Sequence, residues 1–327
     1  MRRSISNQEI NYQQFRRLRE PPLFIFWLLF NLFALGMLVL DLRVVHRTGR
    51  VLRPREALAW SALWIALAAF FAVLLFFWQG RQTTLEFVTG YVLELSLSVD
   101  NLFVFLVIFR FFAVPEEQQH GVLFWGIVGA MILRGIFIFA GVGLIHRFHW
   151  VLYLFGAFLV VTGINFFRGK HEFDPQKNPV VKVLRRWIPM TDRYQGGKFL
   201  VRNWRGNPGL YATPLLMVLA IIETTDVLFA VDSIPAVLAI TLNAFIVYTS
   251  NVFAILGLRS MYFAVAELIK IFRFLHYGLA TVLILVGLKM LASSRFTIPT
   301  HITLAVVAAA LLISIVASIA LPREREG

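Results

Sequence analysis

Long apolar runs constrain this chain more than any other feature of its sequence. A helix needs about 20 apolar residues to cross a bilayer, and nine runs come close to or exceed that length. The chain is 59% hydrophobic with a mean hydropathy of +0.75, far above the composition of a soluble globular protein. These features predict an all-α, polytopic membrane helix bundle. The predicted spans lie near 21–40, 57–78, 84–109, 122–145, 150–167, 211–241, 244–266, 274–292 and 301–321.

Composition also excludes several classes of function. The chain contains no cysteine, which rules out disulfides, thiolate metal sites and cysteine redox chemistry. Its formal charge is +13, but the basic residues lie almost wholly between the apolar runs. That distribution is typical of the positive-inside bias of membrane proteins, and we expect a bilayer as partner and no nucleic acid. No zincin, P-loop or nucleophile-elbow pattern occurs, so we expect no enzyme.

The distribution of Lys and Arg predicts the orientation. Nine spans place the termini on opposite sides of the membrane, and the side that holds the C-terminus and the polar 168–210 segment carries most of the basic residues. The positive-inside rule therefore predicts an outer N-terminus and a cytoplasmic C-terminus. The 168–210 segment is predicted to be an ordinary basic cytoplasmic loop, with binding to anionic lipid as the alternative.

Two acidic segments recur about 130 residues apart inside the apolar runs. In each segment an acidic residue lies six positions before a Val-Asp-(Asn/Ser) triplet: Glu94 precedes Asp100, and Asp226 precedes Asp232. Ionisable groups at membrane depth are costly and usually mark ion or proton pathways. The alternative is a purely structural network of salt bridges with the arginines of the spans.

Other segments recur in the same order as the acidic ones. The residues around Arg134 resemble those around Arg259, and 162–166 resemble 286–290. Each repeated unit holds three predicted helices, an odd number, so the second unit must lie inverted in the membrane. Inverted repeats with a polar site between them are typical of secondary transporters, although duplication could also enlarge a simple scaffold. The predicted units span 84–167 and 211–292 within a single membrane domain of residues 1–327.

The charged residues predict a site for a hard cation. The carboxylates of the spans outnumber Arg134 and Arg259, which we expect to compensate charge, so either a cation binds or some carboxylates are protonated. A site with only oxygen donors suits Mg²⁺, Ca²⁺ or Mn²⁺ rather than Cu⁺ or Zn²⁺. The predicted metal-site residues are Glu94, Asp100, Asn101, Glu223, Asp226 and Asp232, with Ser96, Thr225, Ser233 and Asn251 as auxiliary oxygen donors.

The sixth span is longer than a bilayer requires. A straight helix of about 30 residues would measure roughly 45 Å, against a hydrocarbon core of about 30 Å. Pro235 has no N–H to donate to the carbonyl of Val231, which leaves that carbonyl free beside Asp232. We therefore expect a broken or tilted sixth span with free carbonyls in the site.

The same segments resemble the TerC family of membrane proteins, which includes Alx-type manganese exporters. The resemblance extends from about the first span to the ninth. It implies a nine-helix bacterial inner-membrane protein, associated with tellurium resistance and, in several members, with manganese export. The motif acids and Asn101 would then line the metal path. Leu95 is apolar where some relatives carry a basic residue. The matching segments are 94–105, 211–214, 223–235, 249–251 and 256–263.

These observations together predict a secondary transporter that exports Mn²⁺ or a similar hard divalent cation. Proton exchange on the same carboxylates would drive it, because metal binding competes with protonation. We expect no cofactor. The alternative is a non-transporting membrane scaffold that assists protein insertion, maturation or the response to metal or tellurite stress. Direct extrusion of tellurite is less favoured, because the carboxylates would repel an oxyanion.

Overall fold

The structure is a computed structural model that describes residues 23–48, 54–148, 150–168, 186, 188–205, 207–268, 274–293 and 298–320. The chain divides into two compact units, Met1–Thr48 and Gly49–Gly327. In the described residues of the first unit, one helix is present, α1 (Leu23–Thr48). The described part of the second unit contains α2 (Pro54–Gln79), α3 (Arg81–Phe111), α4 (Glu116–Arg147), α5 (Val151–Phe167), α6 (Pro214–Leu238), α7 (Ala244–Leu268), α8 (Leu275–Ala292) and α9 (Thr300–Ala320).

Each predicted span falls on one of these helices. Among the described residues, five helices are long and apolar enough to cross a membrane: α2, α4, α6, α7 and α9. Three others, α1, α5 and α8, contain shorter apolar helical segments of 10–17 residues. The structure is thus that of a helical membrane protein, and a crossing by all nine helices stays a prediction.

The sixth span differs from its prediction. Residues 211 and 212 belong to a β-strand, and α6 begins only at Pro214, where a proline fits because the first N–H of a helix needs no partner. The helix has 25 residues and continues through Pro235, which lies in its last turn. Of the two expected alternatives, a break or a tilt, the continuous helix excludes the break. About 37 Å of continuous helix fits a 30 Å core by tilting.

A β-hairpin forms at the end of the segment predicted to be a loop and includes the first two residues of the predicted sixth span. Strands β1 (Leu200–Trp204) and β2 (Asn207–Ala212) pair antiparallel, with Arg202 opposite Leu210. The hairpin is followed directly by α6. The N–H of Thr213, between β2 and α6, donates to the carbonyl of Phe199 at 3.0 Å. The prediction of an all-α fold is thus incomplete by one small sheet outside the helices.

Helices α5 and α8 approach each other closely through glycines. A Cβ built on Gly287 would lie 2.7 Å from the carbonyl oxygen of Gly156, and one on Gly163 would lie 2.8 Å from the carbonyl oxygen of Ala280. Small residues permit such close approach of helix backbones in membranes. Gly163 and Gly287 belong to the recurring sequence segments, so packing of α5 on α8 explains why both segments carry a glycine.

Contacts near the helix ends join segments that the predicted topology places on the same side. The amide of Gln82 donates to the Thr300 hydroxyl at 2.9 Å, which joins the starts of α3 and α9. At the other end of α3, the Tyr194 hydroxyl donates to the carbonyl of Phe112 at 2.6 Å. Both contacts agree with helices that run alternately up and down.

Candidate functional site

Arg134 lies in the middle of α4, is 1% exposed, and binds carboxylates from two other helices. It forms an ion pair with Glu94 of α3. It also binds Asp226 of α6 through both carboxylate oxygens, with Nη2–Oδ1 at 3.0 Å and Nε–Oδ2 at 3.3 Å. A planar guanidinium matches a carboxylate in this two-point geometry. One buried arginine therefore links α3, α4 and α6.

Two neutral oxygens also accept hydrogen bonds from Arg134. Its Nη1 donates to the Asn251 Oδ1 of α7 at 3.2 Å and to the Ser233 Oγ of α6 at 3.4 Å. Both acceptors are buried. Ser233 follows Asp226 by seven residues, two helical turns, so the two share a face of α6. We call Glu94, Asp226, Ser233 and Asn251 the oxygen cage.

Among the described residues, the oxygen cage itself holds more negative than positive charge. Two cage carboxylates face the single guanidinium of Arg134. Glu223 lies three residues before Asp226 and thus on the same side of α6. Its carboxylate packs against Gly129 of α4, where a Cβ would overlap it, and its buried Oε2 has no hydrogen-bond partner among the described residues. Buried charge requires compensation, either by a bound cation or by protonation of a carboxylate.

Asp232 lies apart from Arg134. It is half-buried and accepts a hydrogen bond from the Thr162 Oγ1 of α5 at 3.4 Å. Six residues correspond to about 120° around a helix, which turns Asp232 away from the face that carries Asp226. Sequence reasoning did not single out Thr162 as an acid partner, because an isolated threonine carries no such signal. Its only signal is its position beside Gly163 in a recurring segment.

The remaining predicted residues lie on α3, α6 and α7, helices that also contribute to the oxygen cage. Asn101 and Arg259 are buried in α3 and α7. The hydroxyls of Ser96 and Thr225 donate to carbonyls one turn back on their own helices, at 2.7 Å each, a common arrangement for hydroxyls within helices. Asp100 lies in α3, but its side chain is outside the described residues. Among the described side chains, no three of His, Asp and Glu are grouped closely enough to hold a metal ion.

The model of the integral membrane protein TerC family matches residues 79–326. The chain belongs to the TerC family. The resemblance found in the sequence is thereby confirmed, and TerC membership together with the apolar helices identifies a multi-pass helical membrane protein.

Several similar proteins are named only by location or by a candidate role. STKORF319 of Myxococcus xanthus, named as a membrane protein, is 48% identical over 295 residues, which cover 90% of this TerC chain and 91% of the relative. Alx of Escherichia coli (strain K12), named as a candidate membrane-bound redox modulator, is 45% identical over 282 residues, 83% of this chain and 87% of Alx. Alx of Salmonella typhi is 44% identical over 311 residues, 92% of this chain and 95% of the relative. No solved structure matches the chain.

Proposed function

We propose that this TerC-family protein is a secondary transporter that exports manganese, or a similar hard divalent cation, through the oxygen cage. One observation carries the proposal: a single buried arginine is shared by two carboxylates from different helices. The surplus negative charge is costly at membrane depth and becomes useful when a cation neutralises it. Carboxylate, hydroxyl and amide oxygens are the donors that Mn²⁺ and Mg²⁺ prefer.

The position of the cage supports transport. Glu94 and Arg134 come from the first predicted three-helix unit, whereas Asp226, Ser233 and Asn251 come from the second. The repeat relates α3 to α6 and α4 to α7. Helix α3 packs on α7, and α4 packs on α6, so the same contact between the units occurs twice. This relation supports the inverted repeat, and in transporters built that way the substrate binds where the repeats meet.

Proton exchange would couple transport to an energy source. A carboxylate binds a metal ion only when it is deprotonated, so protonation from the outer side would release the ion and metal binding from the cytoplasm would release protons. The proposed placement is the bacterial inner membrane, with the N-terminus outside and the C-terminus in the cytoplasm. Asp232 beside Thr162 offers a second carboxylate along the same helix for the ion or the proton.

Cell manganese after a Mn²⁺ load tests the proposal. Strains that express wild type, Asp226→Asn, Asp100→Asn or Asp232→Asn at equal levels are compared with a null strain. Glu117→Gln is the matched control, because Glu117 is an exposed acid in the first turn of α4. We expect wild type and the control to lower cell manganese and the three cage or path variants to fail. Equal manganese in wild type and the null strain would reject export, whereas equally lowered manganese in all expressing strains would reject the cage as its path.

The alternative is a membrane scaffold for other proteins. The hairpin favours this alternative, because it exposes Leu200 and Leu210 by 45% and 51% beside the start of α6. A redox role such as the Alx name describes would reach this chain through a partner protein, since the chain has no cysteine. The scaffold predicts that Leu200→Ser with Leu210→Ser abolishes function while Asp226→Asn is tolerated. The transporter predicts the reverse.

A further inference from the structure

We infer that Arg134 is a built-in competitor for the transported cation: its guanidinium fills the oxygen cage between transport steps and must leave it before a divalent ion can bind. The inference rests on the proposed transport function. It changes the role of Arg134 from a fixed clamp on two carboxylates to a tethered cation that exchanges with the substrate.

The atoms around the guanidinium resemble the shell of a hard metal ion. Five oxygens of the described residues contact it: one from Glu94, two from Asp226, one from Ser233 and one from Asn251. Hard divalent ions take six or more oxygen ligands in proteins, and the small ones keep some of their water. Because the guanidinium and a divalent ion are both positive and need the same oxygens, the two cannot occupy the cage together.

A buried hydroxyl near the cage supports a ligand other than the arginine. Ser98 is fully buried, and its Oγ has no hydrogen-bond partner among the described residues. It follows Glu94 by four residues, so the two side chains share a face of α3. A polar atom buried without a partner is costly, and an ion or its bound water in the cage would satisfy this hydroxyl.

Glu223 offers the displaced guanidinium a second carboxylate. Side chains on a helix lean toward its N-terminus. Along α4, Gly129 lies on the N-terminal side of Arg134. The Glu223 carboxylate packs at Gly129, where the missing Cβ leaves room for it. Glu223 also lies one turn from Asp226 on α6. In the proposed exchange, Arg134 moves from Asp226 to Glu223 and stays paired while the ion takes its place.

Direct binding of Mn²⁺ to the full chain in nanodiscs tests the exchange. Free ion is counted from its six-line electron paramagnetic resonance signal. Removal of a competitor that fills the cage at least nine-tenths of the time lowers the apparent dissociation constant about tenfold or more, and we expect this for Arg134→Gln. Arg134→Lys retains a competing charge and stays near wild type. Arg147→Gln, an exposed arginine at the end of the same helix, is the control and leaves binding unchanged.

Glu223→Gln tests whether Glu223 receives the displaced arginine or binds the metal ion itself. If Glu223 only receives the displaced arginine, Glu223→Gln weakens Mn²⁺ binding in the wild-type chain and has no effect in the Arg134→Gln chain. Should Arg134→Gln fail to fold, Glu223→Gln in the wild-type chain still tests the exchange. Wild-type affinity in Glu223→Gln would overturn the exchange.

Two further outcomes distinguish the exchange from the transport function itself. If Arg134→Gln binds Mn²⁺ no more tightly than wild type, while Asp226→Asn abolishes binding, Arg134 is a fixed clamp and only the exchange is wrong. If neither wild type nor Arg134→Gln binds Mn²⁺ at millimolar concentration, both the exchange and the proposed cation site are wrong.

Discussion

The charged members of the Arg134 network differ in what their removal leaves behind, and this predicts a definite order of stability. Arg134→Gln leaves Glu94 and Asp226 buried without their shared cation. Removing one partner of a buried ion pair costs about 3–5 kcal/mol of unfolding free energy, because the other charge stays uncompensated. We therefore expect Arg134→Gln to cost about 3–5 kcal/mol.

Asp226→Asn is expected to cost less. Arg134 keeps its ion pair with Glu94, so no buried charge loses its only partner. The amide oxygen of asparagine can still accept from Nη2, whereas the amide nitrogen cannot accept from Nε as Asp226 Oδ2 does. The expected loss of unfolding free energy is that of one hydrogen bond between charged groups, about 1.5–3 kcal/mol.

The assay is unfolding of the purified full chain by SDS in mixed micelles at neutral pH, followed by tryptophan fluorescence and helical circular dichroism. The double variant Arg134→Gln/Asp226→Asn should cost less than the two single changes added, with a coupling of about 1–3 kcal/mol. Arg147→Gln should stay within about 0.5 kcal/mol of wild type, as changes at exposed positions usually do.

A single result would refute the reasoning on which this order depends. If Arg134→Gln were no more destabilising than Asp226→Asn, the two carboxylates could not rely on one shared cation. The surplus of negative charge in the cage would then have another source of compensation, and the main support for cation binding would be lost.

Two other predictions concern the helices and the hairpin region. Gly287→Ala should destabilise the chain by about 1–3 kcal/mol, because its Cβ meets the Gly156 carbonyl across the α5–α8 contact. The control is Gly143→Ala, where nothing lies within 4 Å of the new Cβ. It should be neutral or stabilise by up to about 1 kcal/mol in the same unfolding assay. Tyr194→Phe should cost about 1 kcal/mol by removing the hydrogen bond to Phe112. Burial raises the pKa of Tyr194 above its ordinary 10.0, so the folded state holds the proton longer and the advantage of wild type over Tyr194→Phe should shrink as pH rises above about 10.

Much of the fold follows from local patterns in the sequence. A bilayer of fixed thickness requires apolar helices of a certain length, and each predicted span coincides with a helix. The hairpin escaped prediction because its strands are short and include Pro208 and Gly209, which resemble a loop. The last two residues of β2, 211 and 212, and residues 239–241 after the helix were assigned to the sixth span, which made it appear longer than the helix is.

The sequence by itself determined which residues are chemically unusual: acids and arginines inside apolar runs stand out because burial of charge is costly. It could not determine how they pair. Arg134 and Asp226 are 92 positions apart, and Glu94 and Asn251 come from two further helices, so only the packing of four helices decides that one guanidinium meets all of these oxygens. The separation of Asp232 from Asp226, by contrast, already follows from their six-residue spacing on one helix. Periodicity follows from the local geometry of a single helix, whereas the pairing of charges is decided by how separate helices pack in three dimensions.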